Sequence, residues 1–194
     1  MSSSPCPRIS EPLKDVETER LVLRRFREGD ADLLEPVFAK PEVWRFPYGR
    51  GMTRNETQRF VARQLEEWDR FGLACWLAAT KAEGRVVGYL GISVPHFLPD
   101  ILPAVEVGWR LDPDVWGRGL ATEGAIAALD EAFGPLGLER VCSAPQTDNL
   151  ASCRVCERLG MTLEHEIEAP GNERRGPVAI SLYWINREEW RSRR

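Results

Sequence analysis

The chain has 194 residues, of which 43% are hydrophobic and 29% charged, the proportions of one well-packed globular unit. A formal net charge of −4 argues against a nucleic-acid partner, which would call for a concentrated basic surface, and the excess of arginine over lysine reads as genome bias. No run approaches the roughly 20 apolar residues of a membrane span, and MSSSPCPRISEPLKD at the start holds no apolar signal core. The expected location is therefore cytoplasmic, with no membrane partner.

Residues 1–16 read as a flexible leader, 17–190 as a single domain and 191–194 as a basic tail. ERLVLRRF (19–26) alternates Leu21 and Leu23 with charged neighbours, the period of a strand. Gly29-Asp30 then opens a helix carrying Leu33, Leu34, Val37 and Phe38, with Pro41 ending or kinking it. A second helix runs from Asn55 to Phe71, with Gly72 as its stop. Three strand-like runs follow, at 75–80, 85–94 and 104–111, the first two joined by the turn signal KAEG. PHFLPDILP, with three prolines, is a loop. Leu120–Phe133 is helical and stops at Gly134-Pro135, 140–144 is a strand, and 149–159 is a helix between an Asn149 cap and Gly160. Strands over about 163–168 and 178–185 finish the chain. This order gives an α+β domain around a mostly antiparallel sheet of six to seven strands, flanked by about four helices.

Five cysteines (6, 75, 142, 153, 156) lack the spacing of a disulfide framework, and no histidine stands at ligand spacing, so no metal is expected. Cys153-x-x-Cys156 falls in the second turn of a helix, whereas a redox pair places its first cysteine at a helix N-terminus. Reduced, buried thiols are the expectation.

The segment DVWGRGLATEG (114–124) carries the chemistry. A strand ends near Leu111, a turn at Asp112-Pro113 leads into Trp116-Gly117-Arg118-Gly119, and a helix begins. Such a helix start leaves four amides unpaired and carries partial positive charge. Glycines in front of it remove the Cβ atoms that would hold a phosphate away. Glycines serving turn geometry alone are the competing reading. A Walker loop requires a Lys-Ser/Thr that is missing, and a dinucleotide fingerprint would put a third glycine where Thr122 stands. Glu123, one turn into the helix, suits a first-turn carboxylate serving as cap or packing, with membership of a ligand network as the other reading.

Three linked motifs resolve the ambiguity: VEVGWRLDPDVWGRGLATEGAIAAL (105–129), which supplies two of them, and TDNLASCRVCERLGM (147–161). Together they resemble the GNAT acetyltransferases, most of all the branch related to ribosomal-protein N-terminal acetyltransferases, over roughly residues 17–190. The resemblance implies a GNAT-like sheet with a splayed fourth/fifth strand pair and acetyl-CoA as co-substrate. It implies that the coenzyme pyrophosphate lies on the amides of Gly117, Arg118, Gly119, Leu120, Ala121 and Thr122, beside Trp116. Its pantetheine arm would run along Val107, Gly108, Trp109, Arg110 and Leu111, with Asn149 near the sulfur.

Transfer to an amine demands removal of the ammonium proton and protonation of the departing sulfur. The position many family members give to a tyrosine is Cys156 here, and Ser152, four residues earlier, shares its helix face. The resemblance makes Ser152 the proton donor and leaves Cys156 as packing beside the arm; a hydroxyl that bonds only backbone is the alternative. Glu106, Glu168 and Glu173 compete as base. A base could even be dispensable, because an α-amine of pKa about 7.7–8.0 is partly neutral at pH 7 while lysine, near about 10.4, is not. The expected acceptor is therefore a protein or peptide N-terminal α-amine; a small-molecule amine, or an acyl-CoA sensor without transfer, are the alternatives. Trp44, Phe46 and Tyr48 among Arg45, Arg50 and Arg54 suggest either a carboxylate-binding surface or a loop fixed to the core. Exposed aromatics such as Trp184 leave a homodimer open.

Overall fold

The computed structural model describes residues 9, 12–171 and 176–193. Among them eight strands form one sheet in the order β1-β2-β3-β4-β5-β6-β8-β7. The strands are β1 (Val16–Glu17), β2 (Leu21–Arg24), β3 (Cys75–Thr80), β4 (Val86–Ser93), β5 (Glu106–Leu111), β6 (Arg140–Ser143), β7 (Thr162–Ala169) and β8 (Val178–Asn186). Every pairing is antiparallel except β5 with β6. The expected α+β class and mostly antiparallel sheet hold. The one strand not anticipated, β1, is two residues long, too short to show any period, and folds back on β2 through a turn at Thr18–Arg20.

Four longer helices are the four expected: α1 (Asp30–Phe38), α3 (Arg54–Phe71), α4 (Leu120–Phe133) and α5 (Leu150–Leu159). Two single turns, α2 (Arg45–Tyr48) and α6 (Arg187–Arg191), add to them. The α3 start is fixed by a capping box, in which the Thr53 hydroxyl accepts from the Glu56 amide while the Glu56 carboxylate accepts from the Thr53 amide. Its stop is Gly72 in the left-handed region, as Gly160 is for α5.

Helices cover both faces of the sheet. Leu34, Val37 and Phe38 of α1 pack with Phe60 and Val61 of α3 over Leu77. On the other face Ala125, Leu129 and Phe133 of α4 meet Leu90 and Val107, and Cys156 and Leu159 of α5 complete that core. Gly124 lets α4 lie close: a Cβ there would stand 2.3 Å from Leu90 Cδ2. The four described cysteines, 75, 142, 153 and 156, are free and buried.

The parallel pair barely pairs. Glu106 opposite Cys142 is its only Cα register, held by the Cys142 amide donating to the Val105 carbonyl at 2.9 Å. Past that point the chain leaves β5 for β8: Ser181 N donates to Pro145 O, Thr147 N donates to Ala179 O, and Gln146 bridges Ile180. Residues 145–147 thus spend their backbone bonds on β8. The β5 edge from Val107 onward is left open, and the expected splay of the fourth and fifth long strands results.

Candidate functional site

A cleft of about 520 Å³ fills the splay, within the range of small-ligand sites. Its floor and walls include Glu106, Gly108 and Arg110 of β5, Tyr89 of β4, and Asn149 with Ser152 of α5. Alternation along β5 decides which side chains face it. The Val107 and Leu111 side chains are buried in the core shared with α4, so only their backbone can serve an extended ligand, and Trp109 packs against that core while bordering the cleft; Glu106, Gly108 and Arg110 take the cleft side. The Leu111 carbonyl is already engaged by Trp116 Nε1 at 2.8 Å, while the Trp116 ring stays exposed.

Glu106 is the most perturbed acid of the cleft. Burial pushes its pKa up to about 7, against the opposing pull of the Ala144 amide, which hydrogen-bonds the carboxylate, and of the Arg110 charge. An acid held there is half ionised near neutrality, the condition for accepting a proton at useful rate.

Ser152 borders the same cleft, and its amide donates to Asn149 Oδ1 at 3.3 Å, so the Asn149 side chain caps α5 while facing the cleft. Cys156 does not share that exposure. It lies wholly in the core, its thiol raised to about 12 by burial despite a hydrogen bond with Ser143. Four-residue spacing put Ser152 and Cys156 on one face, but the helix is tucked so that only its first turn reaches the opening.

Glu168 faces away from the cleft. In the β7–β8 register it stands opposite Ala179, whereas the cleft-lining Val178 and Ile180 stand opposite Ala169 and Ile167. Directly paired residues share a face, so Glu168 occupies the other one. Glu173 lies outside the described residues.

The glycine segment has the shape of an anion cradle. Gly117 (φ 72°) and Gly119 (φ 79°) are both left-handed, Gly119 capping α4 without a side-chain bond. A Cβ at Gly117 would meet nothing within 4 Å, and among the described residues the amides of residues 117–122 have no hydrogen-bond partner. Free donors, absent side chains and a helix N-terminus fit a diphosphate. Glu123 holds this cradle in place: its carboxylate accepts from Thr18 Oγ1 (2.5 Å), Arg20 N (2.8 Å) and Arg20 Nε (2.6 Å). Arg20 also donates to the Arg118 carbonyl at 2.8 Å, binding the β1–β2 turn to the loop. Arg158 of α5 donates to Thr122 Oγ1 at 3.4 Å, bringing a further cation to the rim. Arg20 and Arg158 lie 98 and 36 residues from the groups they hold, and no local spacing marks them.

Arg110 is a fastener. Its guanidinium donates to the carbonyls of Val43 (2.5 Å) and Phe46 (2.7 Å) and to Tyr89 Oη, and lies 4.1 Å from the Trp44 ring centroid. It thereby clamps the α1–α3 connection onto β5. Arg50 and Arg54 of that connection are paired with Glu56 and with Asp32 and Glu35, so the basic cluster there is scaffold. Trp184 is half-buried under Arg140, 3.6 Å from its ring centroid, and offers little exposed aromatic surface. Among the described residues no group of three or more potential metal ligands occurs, and no helix is long and apolar enough to cross a membrane.

Comparison with known proteins bears on this arrangement. Residues 20–162 match the family model described as acetyltransferase (GNAT) domain. An uncharacterized N-acetyltransferase of Bacillus subtilis, YoaA, is 29% identical over 175 residues, covering 88% of this chain and 95% of its own. The FsC-acetyl coenzyme A-N(2)-transacetylase of Aspergillus fumigatus is 33% identical over 195 residues, 90% of this chain and 77% of that one. Among solved structures, an acetyltransferase from Agrobacterium tumefaciens superposes with a TM-score of 0.70 at 27% identity, covering 93% of this chain and 98% of its own. Shared sequence over most of the length, and a shared fold around the same splayed sheet, assign the chain to the GNAT family of acyl-CoA-dependent N-acetyltransferases.

Proposed function

We propose that the protein moves an acetyl group from acetyl-CoA to a primary α-amine, that of a protein or peptide N-terminus, by direct attack with both substrates bound. Acetyl-CoA, when bound, supplies the activated acetyl thioester. The free amides of residues 117–122 hold its diphosphate, and the open backbone edge of β5 between Val107 and the engaged Leu111 carbonyl offers bonds to its arm. Glu106 takes the proton that an ammonium must lose before its nitrogen can form the new C–N bond. Ser152 hands a proton to the sulfur as the C–S bond breaks. Asn149, with its side chain capping α5, positions Ser152.

The observation that carries this reading is Glu106: a carboxylate poised near pH 7 on the cleft side of β5, at the fork of the sheet. Thiol release upon mixing with acetyl-CoA and a peptide panel is the test. Peptides with a free N-terminus and no lysine are expected to react faster than N-blocked peptides carrying lysine, and the reverse ranking would defeat the assignment. A small-molecule acceptor is the second reading, favoured by the partial enclosure of the cleft by Trp44, Tyr48 and Phe97; an amine library in the same assay separates the two. Should CoA bind while no amine releases thiol, the protein is an acyl-CoA sensor instead.

A further inference from the structure

Among the described residues the cleft is lined by one arginine that has no ion-pair or hydrogen-bond partner. Arg110 is consumed by backbone carbonyls, Tyr89 and Trp44. Arg50 and Arg54 are ion-paired away from the opening. Arg63 differs: it projects from α3 on the cleft wall, exposed, with its guanidinium 5.6 Å from the Phe60 ring centroid. No carboxylate lies within ion-pair distance of it among the described residues.

Its neighbours define what it can take. Glu67, one turn further along α3, lines the cleft with its carboxyl largely buried and lies 3.9 Å from His96 Nε2. Burial raises the Glu67 pKa, and burial together with Arg70 and Arg63 lowers that of His96, so His96 adds no cation at neutral pH. A phosphate dianion would meet one unpaired guanidinium and two acids, Glu67 and Glu106, lining the same cleft. A carboxylate asks only for one planar fork, which a single arginine supplies. In the same cleft Glu106 is the proposed receiver of the ammonium proton. We infer that Arg63 is the carboxylate-binding residue of the acceptor site, and that the acceptor is a compound carrying a carboxylate close to its primary amine, either a free amino acid or a chain whose first residue is acidic. This rests on the acetyl-transfer reading above: an acidic first residue would specify its peptide acceptor, a free amino acid its small-molecule one.

The test compares matched acceptors. Phenylalanine, leucine and glutamate are each assayed beside their amides and decarboxylated amines, and peptides beginning Glu-Ala beside peptides beginning Gln-Ala, by thiol release with acetyl-CoA. The carboxylate member is expected to have a kcat/KM about 10–100-fold higher, as a charge-assisted pair in a half-enclosed site gives. The amino-acid and peptide pairs tell the two sources apart. Arg63→Gln should bring the ratio to about 1, mainly through KM, with kcat on the amides, KM for acetyl-CoA and melting temperature unchanged. Arg63→Lys should retain part of the preference, as a point charge without the fork. A wild-type ratio near 1, or a preference that survives Arg63→Gln, overturns the inference while leaving acetyl transfer intact. If no acceptor releases thiol, the transfer reading fails. Calorimetric titration of the phenylalanine and phenylalaninamide pair onto the CoA-saturated wild type and Arg63→Gln proteins then decides Arg63 alone, with equal affinities overturning it.

Discussion

At the scale of single residues, Glu106 and Ser152 divide the proton work. Glu106 serves only when ionised, and burial has moved its titration up to about 7. Log kcat/KM should therefore climb with unit slope below about pH 7 and bend there, in addition to any rise from the amine itself. Glu106→Gln should remove that bend and lower kcat by about 10²–10⁴; a decrease of less than about threefold, or an unaltered acid limb, would show that the proton leaves by another route. Ser152→Ala should lower kcat by a comparable factor while acetyl-CoA affinity stays constant, since the α5 cap depends on Asn149 and on the residue 152 amide, which alanine keeps. The sequence named both residues. It could not choose Glu106 over Glu168, because the choice turns on which face of a strand looks into the cleft, and that is set by register with β8 and by the core under β5.

Among elements, the loop–helix junction at Gly117–Leu120 and the close seat of α4 on β4 are the sensitive places. Gly119 sits at φ 79°, where a side chain costs about 1–3 kcal/mol. Gly119→Ala should therefore raise KM for acetyl-CoA about tenfold or more with a modest loss of stability. Unchanged KM would mean that the amides there do not hold the coenzyme. Gly124→Ala would press a methyl into Leu90, and overpacking of this kind costs about 1–3 kcal/mol, readable in the denaturant midpoint. The glycines, the Asn149 cap and the Gly160 stop were legible in the sequence because caps and left-handed turns are local chemistry. The clamp of Arg110 on the α1–α3 connection was not, because Val43 and Phe46 are more than sixty residues away.

For the molecule as a whole, long-range ties set the shape of the site. Glu123 joins α4 to the β1–β2 turn, and its bonds from Thr18 and Arg20 outweigh the burial that would raise its pKa, leaving it below the ordinary carboxylate range. Because its folded pKa is depressed, this stabilisation is present above the unfolded pKa of about 4.3 and fades as pH falls below it. Glu123→Gln should lower the melting temperature at pH 7 and converge on wild type in acid; equal loss at both pH values would place the effect in packing instead. Acetyl-CoA at about 100 times its Kd should add about 2.7 kcal/mol to folding, a rise of roughly 5–11 °C for a chain of this size, and no shift would count against binding.

What the chain determined by itself is local: strand and helix periods, caps and glycine stops, and the order of a glycine loop before a helix, each written in residues a few positions apart. What only the tertiary structure decided is which of those residues meet. The splay exists because residues 145–147 give their backbone bonds to β8 and not to the β5 backbone. Glu106 titrates near neutrality because the fold buries it at that fork, and Arg63 rather than Arg50 or Arg54 is left without an ion-pair partner among the described residues because the latter two meet Glu56, Asp32 and Glu35. Strand register, burial and charge pairing are properties of groups brought together from distant positions, so no window along the chain contains them.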